Sequence, residues 1–111
     1  MMWKKKYLAA VLGVSLLGSL FAGCGDQAKS DEIKIGANFE LTGNVANYGT
    51  MGLDGLKLAI KQANDAGGIN GKKIVLVTAD NKSEASEAAN SATKLISTAK
   101  VKVLVGPATT A

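Results

Sequence analysis

The chain has no histidine and no arginine, and one cysteine, one proline and one tryptophan among 111 residues. Each shortage excludes some chemistry. Without histidine, the commonest general base and the commonest metal ligand are missing. One cysteine, Cys24, cannot close an internal disulfide or build a cysteine-based metal site. Aromatic residues are few. The formal net charge is +4, but Lys4, Lys5 and Lys6 sit together at the start, and beyond residue 23 ten lysines face nine acids. The body is therefore nearly neutral and carries no basic patch for nucleic acid or anionic lipid. Its length allows one small domain at most.

What is present first is a tripartite start. Three lysines precede an uncharged apolar run over residues 7–21, and Ala22 and Gly23 lead to Cys24. Residues 1–23 read as a secretory signal peptide. The apolar run, about 15 residues, is short of the roughly 20 that span a bilayer; a short anchor that stays attached is the alternative. The stretch LFAGC resembles the lipobox of bacterial lipoproteins, with Phe21 where leucine is usual. The resemblance implies a lipid on Cys24 and a place outside the cytoplasm, on the outer face of the bacterial cytoplasmic membrane or in the periplasm. Two acyl chains on one cysteine anchor stably where a single chain is marginal. The polar residues that follow, to position 32, read as a flexible tether.

From position 33 the pattern becomes that of a folded body. Residues 33–39 alternate as a strand does. Residues 49–66 place Gly52, Leu56, Ala59, Ile60 and Ala63 on one helical face, and Gly67 follows where a helix end needs positive φ. Residues 73–80, KIVLVTAD, are almost continuously apolar, as a strand buried on both faces would be. A second helix has Ala85, Ala88, Ala89, Ala92, Leu95, Ile96 and Ala99 in one stripe, with Ser83 as its expected N-cap and Glu84 and Glu87 near its positive end. Residues 101–106 read as a third strand. The alternation predicts an α/β fold: a parallel sheet with helices on its faces and right-handed crossovers, in the order β-α-β-α-β. Three strands with no closing helix read as the N-terminal part of a larger domain.

Three kinds of chemistry compete for the loop LTGNVANYGTMG that follows the first strand. A phosphate cradle needs GxxxxGK[ST] or GxGxxG, and Gly43, Gly49, Gly52 and Gly55 match neither. Asp80 at the end of the second strand does imitate a ribose-binding acid. Catalysis lacks a base to activate a hydroxyl, and among the acids Asp80 alone falls clearly at a strand end. The third reading is ligand capture beyond the carboxyl ends of the strands. Tyr48 offers a flat face and a hydroxyl. Thr109 and Thr110 offer hydroxyls and, if a helix begins there, free amides that favour a carboxylate. Such groups suit a zwitterion. Packing alone for Tyr48 and capping alone for the threonines fit the pattern equally well.

In order and spacing, YG before a glycine-spaced helix, NDAGGINGKKI, the Asp80 that closes the second strand, and VGPATT resemble the branched-chain amino-acid (Leu/Ile/Val-type) substrate-binding proteins of ABC transporters. The resemblance covers residues 33–111. It implies a type I periplasmic-binding-protein fold, of which this stretch would be the N-terminal part of lobe 1. It implies that Tyr48, Thr109 and Thr110 form part of an amino-acid site, with Thr110 on the α-carboxylate. It also implies a small amino acid or amide as ligand, an ABC permease and, through Cys24, the membrane as partners, and neither cofactor nor catalysis. A ligand-sensing or regulatory domain of the same fold is the alternative.

Overall fold

The structure, a computed structural model, describes residues 32–110. The signal peptide, Cys24 and nearly all of the tether lie outside them. The elements are β1 (Glu32–Phe39), α1 (Ala46–Asp65), β2 (Lys73–Asp80), α2 (Ala85–Ser97) and β3 (Val103–Val105). All strands are parallel in the order β2-β1-β3, with Ile33 beside Ile74, Phe39 beside Asp80 and Gly36 beside Leu104. The tether was expected to run through Glu32, but Glu32 already pairs with Lys73. Charged residues join the ladder there because that end of the sheet is exposed to solvent.

Alternate residues of β1 serve opposite helices. Ala37 and Phe39 form a buried cluster with Leu53 of α1, supported by Leu41, Leu56, Leu76 and Val105. On the other face Leu95 of α2, 3 % exposed, lies against Gly36, and the Asn38 amide donates to the Ala88 carbonyl at 2.8 Å. Opposite parity puts α1 and α2 on opposite faces, as right-handed crossovers that run in opposite directions along the sheet, β1 to β2 and then β2 to β3, require. Burying an aliphatic or aromatic side chain of this kind stabilises by about 1.5–3 kcal/mol, so Leu53 and Phe39 are the main fasteners of α1.

Several element edges differ from their sequence signals. The stripe read on α1 omitted Leu53, its most buried large side chain, and included Ala59, which is exposed. The helix begins at Ala46, three residues before the segment the spacing picked out, because its first turn adds nothing to the apolar stripe. At its far end Gly67, at φ +103°, donates to the Asn64 carbonyl and Gly68 donates to that of Ala63. That pairing is the expected glycine-terminated helix end. The Asn64 side chain then bonds both backbone groups of Ile74 at 2.8 Å, stitching α1 to β2.

Ser83 is not the N-cap of α2. The cap is Glu84, with extended backbone and no side-chain bond, and Ser83 sits at φ +61°. Its hydroxyl donates to the Thr42 carbonyl at 2.7 Å and accepts the Val45 amide at 3.3 Å, so it ties one loop to another. Glu87 does lie in the first turn of α2. β2 is not buried on both faces along its length: Ile74 alone is buried, because the strand lies at the outer edge of the sheet. β3 is shorter than expected, since the Val101 amide turns back to the Leu95 carbonyl. Ile96 of the α2 stripe is 55 % exposed.

Candidate functional site

The chain leaves β1 toward β2 on one side, and β3 lies on the other. At that reversal of strand order, the carboxyl ends of β1 and β3 border a crevice where open α/β sheets hold ligands. The first residue past β1 is Glu40. Its side chain is among the most enclosed in the described residues, at 1 % exposure. Its carboxylate accepts the Ala108 amide at 3.0 Å, the Thr109 amide at 3.1 Å and the Thr109 hydroxyl at 2.8 Å. Burial pushes this carboxyl up, but the amides of Ala108, Glu40 and Thr109 and the Thr109 hydroxyl outweigh it and hold the group below its ordinary value.

The Glu40 backbone does a second job. Gly49 of α1 is buried against the Glu40 carbonyl, so closely that a Cβ there would overlap it. Glycine is required at Gly49 by contact alone. Gly106 needs glycine twice over: its φ is +104° and a Cβ would strike the Asn38 carbonyl. Gly52 faces the Phe39 ring, whereas Gly55 has nothing within 4 Å. Of the three glycines of α1, Gly49 and Gly52 thus let the helix lie close against β1 and its end, and Gly55 does not.

Glu40 thus joins the residues of interest from both sides. Tyr48 is the chain neighbour of Gly49; it lies in the first turn of α1 rather than in a loop, and is 55 % exposed. Thr110 is the chain neighbour of Thr109 and is exposed. Tyr48 and Thr110 thus each stand one residue along the chain from a contact with Glu40, at Gly49 and at Thr109. Thr109 spends its amide and its hydroxyl hydrogen on Glu40. No helix begins by Thr110 in the described residues. Sequence reasoning missed Glu40. The available signal was an acid directly after the apolar end of a central strand, where burial is hard to avoid.

Asp80 resolves differently from its nucleotide-like position. One oxygen accepts the amides of Leu41 at 2.9 Å, Thr42 at 3.2 Å and Lys82 at 2.8 Å, and the other accepts the Thr42 hydroxyl at 2.7 Å. Burial raises this carboxyl, yet those donors together hold it below its ordinary value. With four protein donors already in place, Asp80 braces two loops and is poorly placed to receive a ribose. A groove of about 450 Å³ runs between β2 and α2, past Val77, Asp80, Lys94 and Leu95. It opens along the outer edge of the sheet, away from the β1–β3 crevice. Among the described residues no group of three acids or cysteines is gathered as a metal site.

A three-stranded parallel sheet with helices on opposite faces is the α/β architecture that the sequence pattern predicts. Residues 32–111 match the periplasmic binding protein family, and the chain belongs to that family. It is similar to the Leu/Ile/Val-binding protein homolog 8 of Brucella abortus, 34 % identical over 99 residues, which cover 89 % of this chain and 23 % of that protein. Among solved structures it resembles LivJ, the branched-chain amino acid transporter substrate-binding protein of Streptococcus pneumoniae, in complex with isoleucine. The identity is 51 % and the TM-score 0.68, over 68 % of this chain and 22 % of that one. A solute-binding protein of Rhodopseudomonas palustris in complex with 3,4-dihydroxybenzoic acid matches at 31 % identity and TM-score 0.61, over 67 % of this chain and 20 % of that one. The chain spans less than a quarter of the length of these relatives.

Proposed function

We propose that this chain is the opening part of the solute-binding subunit of an ABC importer, one that captures a branched-chain or related small amino acid outside the cytoplasm. The reading takes residues 33–111 as the N-terminal part of lobe 1, with the rest of the lobe and a second lobe following in the full-length protein. Its support is the bundle around Glu40, which ties the chain beside Tyr48 to the chain beside Thr110, together with the likeness to the isoleucine-bound relative. Tyr48 packs its ring on the ligand, Thr110 meets the carboxylate, and Thr109 anchors the turn between β3 and Thr110. The subunit makes and breaks no bond. It closes by hinge motion around the ligand and passes it to a membrane permease. Cys24, acylated, holds it at the membrane.

Titration calorimetry of the full-length protein with isoleucine, leucine and valine tests this directly. Micromolar or tighter binding of at least one is expected. The relative that holds 3,4-dihydroxybenzoic acid makes aromatic acids the necessary comparison set, and a preference for them would overturn the amino-acid assignment. The isolated 111-residue chain, with half a crevice, is expected to bind isoleucine far more weakly than the full-length protein. Replacing Cys24 by alanine should move the protein from the membrane fraction to the soluble one, as read by fractionation.

A further inference from the structure

The turn after β3 presents two successive amides and a hydroxyl, those of Ala108 and Thr109, to one point. Converging donors of this kind form an anion-binding concavity. Here the concavity is already filled, because the Glu40 carboxylate occupies it with both oxygens. The enclosure of Glu40 denies water a share in those bonds, and an acid at this depth is retained only where donors compensate its burial. Through its backbone the same residue abuts Gly49, one step from Tyr48.

We propose that Glu40 is the positioning residue of the ligand site: its carboxylate is the resident anion of the β3 turn, and by engaging Ala108 and Thr109 it directs Thr110 to the carboxylate of the ligand. The inference rests on the amino-acid reading above. It carries a division of labour between adjacent threonines. Thr109 is bound inward to Glu40, so the ligand carboxylate is left to Thr110. A ligand carboxylate cannot enter the Ala108–Thr109 concavity while Glu40 holds it, since two anions would share one set of donors.

The test compares L-isoleucine with L-isoleucinamide, which replaces the carboxylate by a neutral amide, by calorimetry on the full-length protein. The unaltered protein should prefer isoleucine. Glu40→Gln keeps the size of the side chain but turns an NH2 group toward N–H donors. It should cut the preference roughly tenfold, the scale of one hydrogen bond to a charged group. Added to Thr110→Val, it should cut the preference little further, because both changes act on one contact. A lowered melting temperature with an undiminished preference would make Glu40 scaffolding and overturn the inference. If Glu40→Gln does not fold, Thr109→Val removes one of the donors and should lower the preference about threefold, a weaker loss for one donor of several; no change overturns the inference. Failure of the unaltered protein to bind isoleucine at all removes the amino-acid reading, and this inference with it. Binding with the preference intact in the variants removes this inference alone.

Discussion

Glu40 and Asp80 are carboxylates one residue past β1 and at the last residue of β2, and both are committed to the backbone of loops. They differ in what they hold. Asp80 binds the loop that precedes α1 and the turn that precedes α2, so its donors belong to connections that frame the sheet. Glu40 binds the turn after β3, on the crevice side, and its own backbone seats α1. The two sites use the same chemistry, a buried or half-buried acid satisfied by amides and a threonine hydroxyl. Location at the reversal of strand order is what separates a brace from part of the proposed site.

That contrast can be broken at several points. The largest effect is expected at Gly49→Ala, where a methyl meets the Glu40 carbonyl backbone. Rigid overpacking costs about 1–3 kcal/mol or more, and a thermal melt should show the loss together with weakened isoleucine binding. Asp80→Asn should cost about 2 kcal/mol, because an amide cannot accept four donors without turning its NH2 toward one of them. Its preference for isoleucine over isoleucinamide should stay that of the unaltered protein. A collapse of that preference would erase the difference between the two acids. Tyr48→Ala, at an exposed site, should leave the melting temperature nearly unchanged and weaken ligand binding by about 1–3 kcal/mol. An unaltered affinity would return Tyr48 to packing.

Acid should act on both carboxylates in the same direction. Each has its folded value held below the ordinary one. Their stabilisation is therefore complete above the unfolded carboxyl range, about pH 4, and is lost as pH falls through the lower folded values. Denaturation curves from about pH 5 down to about pH 2 should show this loss, and Asp80→Asn and Glu40→Gln should each flatten it. The smallest effect is expected at Gly55→Ala. Nothing lies within 4 Å of the added methyl, and the site is inside α1. Removing a helix-interior glycine should stabilise by about 0.5–1 kcal/mol, with ligand binding unmoved.

Local pattern determined a good deal of this protein. The alternation of strands and helices, the bounds of β2 and the glycine end of α1 all follow from residues within a turn or two of one another, and propensity and periodicity act on that scale. The resemblance of YG, NDAGGING and VGPATT to a family was legible for the same reason, as runs of neighbours. Tertiary structure decided what each polar residue does. Ser83 became a loop tie and not a cap, because Thr42 and Val45, distant in sequence, came beside it. Asp80 became a brace because its donors at Leu41 and Thr42 arrive from β1's end. Glu40 acquired its role from Ala108 and Thr109, 68 and 69 residues away along the chain. A hydrogen bond requires its partners within about 3 Å and burial requires a complete surrounding shell, and neither condition is met by any one segment of the sequence on its own.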